Sequence, residues 1–264
     1  MTPMKPEKEV PPMKSKPDDL TKIVQNLGLQ FFAQHYEDLA QDAARTQLGH
    51  VEYLRRLAEG EAAMRYERSV QRRTKAAHLP VLKTLEQFDW SWPKKINRPQ
   101  VQELFRLRFI EQNSNVVFIG GVGLGKTHLA LALAHSACLN NTPTLYVPAV
   151  EIVNTLSAAQ ATNNLAKAIK VYVTPRLLVI DELGYLPMDK RGADLIFQVI
   201  SARYERGATL ITTNTIYKQW ARIFNNDATL TTAILDRLVH HCETITIEGK
   251  SYRMKDNQES GGND

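Results

Sequence analysis

The feature that most constrains this chain is the run Gly120-Gly121-Val122-Gly123-Leu124-Gly125-Lys126-Thr127, which follows the apolar stretch Val116–Ile119 and opens an apolar, helix-compatible one. Glycines remove side-chain bulk, so backbone N–H groups can close around an anion, and a helix starting at the loop's end adds a partial positive charge. Lys126 is placed to reach β- and γ-phosphates, and Thr127 to offer its hydroxyl to Mg²⁺. The pattern therefore predicts strand, phosphate loop and helix in that order. The nucleotide-binding candidates are Gly120 to Thr127, with His128 next in line. As possible acid–base groups, His128 and His135 read rather as packing or surface residues of the helix.

The surrounding sequence supports that local reading. From Gln100 onward, short apolar runs alternate with helical patterns at the spacing of βαβ units. Strands are predicted over 116–119, 144–147, 177–180, 208–213 and 244–247, and helices over 127–138, 149–156, 192–204 and 231–240. The fold class is α/β: a parallel sheet flanked by helices on both faces.

Further chemistry is expected at the ends of these strands. Leu177-Leu178-Val179-Ile180-Asp181-Glu182 is an apolar strand ending in two acids. Such acids lie where α/β sheets bind ligands. Asp181 is assigned with Thr127 to the Mg²⁺ shell, and Glu182 to orienting and deprotonating a water. Asn214, closing Leu210-Ile211-Thr212-Thr213, is the candidate to hold that water or touch the γ-phosphate. Arg237 lies on a helix whose Ile234, Leu235 and Leu238 face inward; it can be offered to a neighbouring subunit's γ-phosphate, pair with Asp236, or remain solvated. His240 and His241, adjacent on that helix, lack a Cys or carboxylate partner at ligand spacing and read as structural.

The N-terminal third is different in kind. Five prolines among Lys and Glu in residues 1–17 predict a disordered tail. Residues 18–79 read as a small helical domain: Asp18 and Asp19 cap a first helix that ends at Gly28, Phe31, Phe32 and Tyr36 mark a second, and a third begins near His50. In that third helix Val51, Leu54, Leu57 and Ala58 share a face, and Met64 and the three aromatics are expected in the core. Pro80, Pro93 and Pro99 predict a linker over 80–99, followed by the α/β domain over 100–254 and a loose tail over 255–264.

Charge is unevenly distributed. The chain has 33 Lys and Arg against 28 Asp and Glu, a formal charge of +5. Between Met64 and Lys95 eight basic residues face three acidic ones, which accounts for the whole excess. Arg65, Arg68, Arg72, Arg73 and Lys75 recur at helical spacing and are the candidates for binding nucleic-acid phosphates, the alternative being a solvated face balanced by Glu59, Glu61 and Glu67. No apolar run reaches the roughly 20 residues of a membrane span, and no secretory signal is evident, so a cytoplasmic location is expected. Cys138 and Cys242 are too few for a disulfide framework.

With these residues placed, the chain resembles the IstB family, ATP-binding helpers encoded beside the transposase of bacterial insertion sequences. The likeness runs from about Leu20 to Arg253. It is carried by Leu79–Asp89, by the phosphate loop with Thr127-His128-Leu129-Ala130, by Ile180–Pro187, by Leu195–Ser201 and by Gly249-Lys250-Ser251-Tyr252-Arg253. That family is similar to the DnaC-type helicase loaders among the AAA+ ATPases. The resemblance implies an Mg²⁺-dependent ATPase that forms a homo-oligomer on duplex DNA, with ATP between subunits, and selects or presents a target for a partner transposase. It implies that Arg237 acts in trans and places Arg253 near a second nucleotide-sensing arginine. Gly120-Gly121-Val122-Gly123 stands where relatives usually carry Gly-Pro-Pro-Gly, while Gly125, Lys126 and Thr127 are kept. Within Ala158–Lys170 only Lys167 and Lys170 are basic. The competing readings are a helicase loader acting through protein binding and a small-molecule kinase, the latter disfavoured by Glu182.

Overall fold

The computed structural model describes residues 17–252. The expected tails, apart from Pro17, and Arg253 lie outside the described residues. The chain divides into two compact units, one up to Ser69 and one from Val70 onward.

The first unit holds α1 (Pro17–Asn26), α2 (Gln30–Thr46) and α3 (His50–Ala76) as far as Ser69. Proline suits a first helical position, so α1 starts at Pro17, and Asp18 and Asp19 lie in its first turn rather than ahead of it. Gly28, at φ 70°, ends α1. α2 has no side-chain cap of its own, since Leu29 occupies the N-cap position. Glu61 of α3 supplies one: its carboxylate accepts from the Phe31 N–H at 2.8 Å and is held by Arg65 Nε at 2.9 Å. A Cβ at Gly60 would overlap the Phe31 ring, so glycine permits this close approach of α3 to α2. Among the described residues of this unit, only Val24 and Leu57 are buried apolar residues. Phe31, Phe32, Tyr36 and Met64 are half-buried, and Val51 and Leu54, expected beside Leu57, are exposed. A unit of three helices has too little mass to enclose its apolar face.

The second unit is built on a five-stranded parallel sheet, β1 (Asn115–Gly120), β2 (Thr144–Pro148), β3 (Leu177–Leu183), β4 (Ala208–Thr213) and β5 (Cys242–Ile247), in the order β2-β3-β4-β1-β5. Its helices are α4 (Arg98–Leu104), α5 (Arg108–Glu111), α6 (Lys126–Leu139), α7 (Ala149–Ala161), α8 (Leu165–Val173), α9 (Lys190–Arg203) and α10 (Ala228–Val239), with a 3₁₀ turn at Tyr217–Arg222. Alternate residues of each strand enter opposite layers. Val116, Phe118, Val179 and Leu210 pack with Leu129 and Leu133 of α6. Val117, Ile180 and Ile211 pack with Ile152 of α7, Ile196 of α9 and Ile234 of α10. Because both faces are covered, the apolar residues of β1 (Val116–Ile119) and β3 (Leu177–Ile180) read as continuous runs.

The expected linker is part of this second unit's core. Phe88 is buried, and Leu79, Leu85, Trp90 and Ile96 pack against the α6 layer. Lys95 pairs antiparallel with Glu248 just beyond β5, through N–H to O distances of 3.1 and 3.0 Å. The prolines that bar a helix in this strap do not bar packing. Elsewhere, Arg203 is 2% exposed. Its guanidinium donates to the carbonyls of Tyr172, Val173, Pro175, Arg176 and Ala208, and to the Thr209 hydroxyl. Burial without a carboxylate partner brings its pKa down to about 10.

Candidate nucleotide site

β1 sits between β4 and β5, yet the chain leaving it crosses to the far edge at β2. Connections diverge at the carboxyl end of β1, which is where open α/β sheets form a ligand crevice. The glycine run fills this point. Gly125, at φ 85°, is the N-cap of α6, and a Cβ there would meet the Phe88 ring at 2.5 Å. A Cβ at Gly120 would meet the Ile247 carbonyl at 2.5 Å, so the close approach of β1 to β5 also depends on glycine. Lys126 Nζ donates to the Gly121 carbonyl at 2.7 Å across the loop.

The polar ends of one sheet layer converge beside the loop. Asp181 is 3% exposed and receives three hydroxyls: Thr127 Oγ1 at 3.1 Å, Tyr146 Oη at 2.6 Å and Thr212 Oγ1. Burial, then the hydrogen bond to Asp181 and its charge, push the Tyr146 phenol far above its ordinary pKa, so it stays a donor. Asp181 is thus hydrogen-bonded to Thr127, the residue expected beside it in a Mg²⁺ shell. Tyr146 and Thr212 were not among the sequence candidates; their signal was the polar end of an apolar strand, which at β4 directed attention to Asn214.

Of these groups, Thr127 and Thr212 border a cavity of about 730 Å³, lined also by Gly123, Lys126, Glu182, Asn214 and Tyr252. Glu182 is exposed to it. Asn214 lines it too, its Oδ1 accepting from Thr215 Oγ1 at 2.9 Å. The strap closes one wall through Lys83, Phe88, Asp89 and Trp92. Trp92 meets Tyr252 edge-on, with centroids 5.3 Å apart, and Tyr252 N donates to the Gly123 carbonyl at 2.8 Å. His128 also lines the cavity, its ring bonded to the Thr84 carbonyl at 3.0 Å and edge-on to Phe88. Burial lowers its pKa, so it is a neutral tie between strap and helix.

Other candidates are placed elsewhere. Arg237 does not line its own chain's cavity; its Nη1 donates to the Ala233 carbonyl at 2.8 Å and the guanidinium lies 5.0 Å from the Phe197 ring centre. Among the described residues it forms no ion pair with Asp236. The two histidines acquire a carboxylate neighbour, because the ligand atoms of Glu205, His240 and His241 lie within 4.8 Å of one another on the surface. Spacing along one helix could not reveal Glu205, which follows α9. In the basic segment Arg65, Arg68, Arg72 and Lys75 are exposed. Arg73 differs: its Nε donates to the Cys138 carbonyl near the end of α6 at 2.8 Å, where a cation complements the helix dipole.

A phosphate loop after β1, an acid–hydroxyl cluster on β3 and β4 and this strand order define a P-loop protein of the AAA+ class. Residues 22–260 match the family described as IstB-like ATP binding protein, and the chain belongs to that family. It is 37% identical over 243 residues to the insertion sequence IS21 putative ATP-binding protein of Pseudomonas aeruginosa, covering 92% of this chain and 91% of that one. It is also 37% identical to the insertion sequence IS232 putative ATP-binding protein of Bacillus thuringiensis subsp. berliner, covering 92% and 97%. Among solved structures it is similar to DnaI (TM-score 0.52, 21% identity, 64% of this chain and 89% of that one). AMPPCP-bound DnaA from Aquifex aeolicus aligns with TM-score 0.52 and 18% identity, over 69% of this chain and 56% of that one. At these identities the two structures speak for the fold. No helix among the described residues is long and apolar enough to cross a membrane.

Proposed function

We propose that this chain is the ATP-dependent helper of a transposase, a cytoplasmic protein that assembles on duplex DNA and hydrolyses ATP to select or present an insertion target. The observation that carries this reading is the meeting of Lys126, Thr127 and Glu182 at one cavity, with Asp181 buried behind Thr127 and hydrogen-bonded to it. The glycine loop and the start of α6 bind phosphate oxygens through N–H groups. Lys126 exchanges the Gly121 carbonyl for phosphate. Thr127 and Asp181 form an oxygen donor set that suits Mg²⁺, which, when bound, neutralises charge on the β- and γ-phosphate oxygens. Glu182 takes a proton from the attacking water, and Asn214 orients that water.

Arg237, outside its own cavity, is available to a neighbouring copy's γ-phosphate, an effect that can reach about 10³ to 10⁵ in rate. The exposed Arg65, Arg68, Arg72 and Lys75 supply phosphate contacts to DNA, and the relatives' insertion-sequence names support the transposase setting. Arg73 is left out of this set because its bond to Cys138 leaves it half-buried, whereas Arg65 stays exposed beside Glu61.

Site variants test the reading by separating its steps. Lys126→Ala is expected to lose ATP binding, while Glu182→Gln retains binding and loses phosphate release by about 10² or more. Arg237→Ala is expected to bind ATP without hydrolysing it, and a mixture with Lys126→Ala to recover part of the activity. Equal loss of ATP affinity in the Lys126 and Glu182 variants would refute the assignment. For the DNA reading, Arg72→Gln with Lys75→Gln should lower affinity and flatten its salt slope by about 0.9 per lost phosphate contact.

A further inference from the structure

Glu182 reaches the cavity only because β3 departs from regular pairing. β3 and β4 are in register up to Ile180 opposite Ile211, and pairing resumes at Leu183 opposite Thr213. Asp181 and Glu182 therefore stand against the single residue Thr212, which is a β-bulge. Ile180 and Leu183, three residues apart, consequently enter the same apolar layer. Regular alternation would have put Glu182 where Leu183 lies.

The bulge leaves Glu182 at φ 58°, a left-handed conformation that side chains with a Cβ seldom take. Thr212, 1% exposed, holds it there. Its hydroxyl donates to Asp181 Oδ1 and accepts from the Glu182 backbone N–H at 2.9 Å. A hydroxyl has one proton to give and lone pairs to receive, and both functions are used. Asp181 keeps Thr127 and Tyr146 as further donors, whereas among the described residues Thr212 is the side-chain partner of Glu182 N.

We propose that Thr212 is a positioning residue for hydrolysis: its hydroxyl fixes the Glu182 backbone so that the carboxylate faces the nucleotide cavity rather than the apolar layer. The inference rests on the hydrolytic reading above. Thr212 also borders the cavity, but at 1% exposure and with its hydroxyl committed to Asp181 and Glu182 it acts through Glu182 and not on substrate.

The test measures phosphate release and, separately, affinity for a non-hydrolysable ATP analogue in the full chain. Thr212→Val, which keeps the shape and removes the hydroxyl, should lower kcat by about 10- to 100-fold, within the range a positioned acid–base group supplies. Analogue affinity and magnesium dependence should change by less than about threefold. Thr212→Ser should restore kcat to within about threefold of the unaltered protein, and the same contrast should separate Ser from Ala, a pair that lacks the methyl in both members. Adding Thr212→Val to Glu182→Gln should cost nothing further, because the group being positioned is already gone.

Unchanged kcat in Thr212→Val, failure of Ser to exceed Ala, or an added loss in the double variant would each overturn the inference. So would a fall in analogue affinity matching the fall in kcat. Absence of hydrolysis by the unaltered protein on DNA, with the analogue still bound, would overturn the hydrolytic reading and this inference with it.

Discussion

Glu61 in the helical unit and Asp181 in the sheet unit are both buried carboxylates, 5% and 3% exposed, but their partners differ. Glu61 receives backbone N–H from the start of α2 and the Arg65 guanidinium, so its charge is already compensated. Asp181 receives three neutral hydroxyls, and among the described residues no Lys or Arg forms an ion pair with it. Hydroxyls orient a carboxylate without neutralising it. Glu61 thereby has a countercharge built into its own unit, whereas the role proposed for Asp181 assigns it a cation brought in with the nucleotide.

The contrast can be broken most directly at Asp181. Asp181→Asn keeps the shape and is expected to reduce Mg²⁺-dependent phosphate release by about 10² or more, with little change in melting temperature. A large fall in melting temperature with hydrolysis preserved would put Asp181 in Glu61's category. Glu61→Gln is the mirror experiment: the helical unit should lose about 1–3 kcal/mol to denaturant while ATP-analogue affinity stays put. The Arg65 side chain is 56% exposed, so most of that loss comes from the backbone hydrogen bonds at α2.

The pH dependence sharpens the same point. Burial raises the Glu61 pKa, but the bonds from Arg65, Phe31 and Phe32 outweigh it, and the folded value lies below the ordinary 4.5. Its stabilisation is therefore complete above about pH 4.5 and fades as pH falls through the folded pKa. Acid titration followed by circular dichroism should show this fading in the unaltered chain and a flatter curve in Glu61→Gln. The smallest effect is expected for Tyr146→Phe. Asp181 keeps two hydroxyls there, so about 0.5–1.5 kcal/mol of stability should go, measured by thermal melting, with hydrolysis retained.

What the sequence revealed follows the distance over which each feature is encoded. Gly125, Lys126 and Thr127 are legible because strand, loop and helix are contiguous, and Asp181 because an acid after an apolar run is a local signal. Tyr146 and Thr212 reach Asp181 only through the β2-β3-β4 order, which no short stretch specifies. The bulge at Glu182 was hidden for the same reason: it exists only relative to β4. Pro80, Pro93 and Pro99 were informative about backbone and silent about burial, so the strap was read as a linker despite Phe88 and Trp90. Glu61 registered as a counter-charge because its partner, the uncapped start of α2, lies 30 residues away. α8 escaped notice because Leu165–Val173 is short and follows α7 closely.

The strap also bears on where such a protein can be cut and recombined. A fragment begun at Gln100, the boundary that periodicity suggests, would discard Phe88 from against Gly125, Thr84 from its bond to His128, and Trp92 from beside Tyr252. The transferable cassette for a chimera begins upstream of Leu79 and extends through Tyr252, with the wall of its binding cleft contributed by both of its termini.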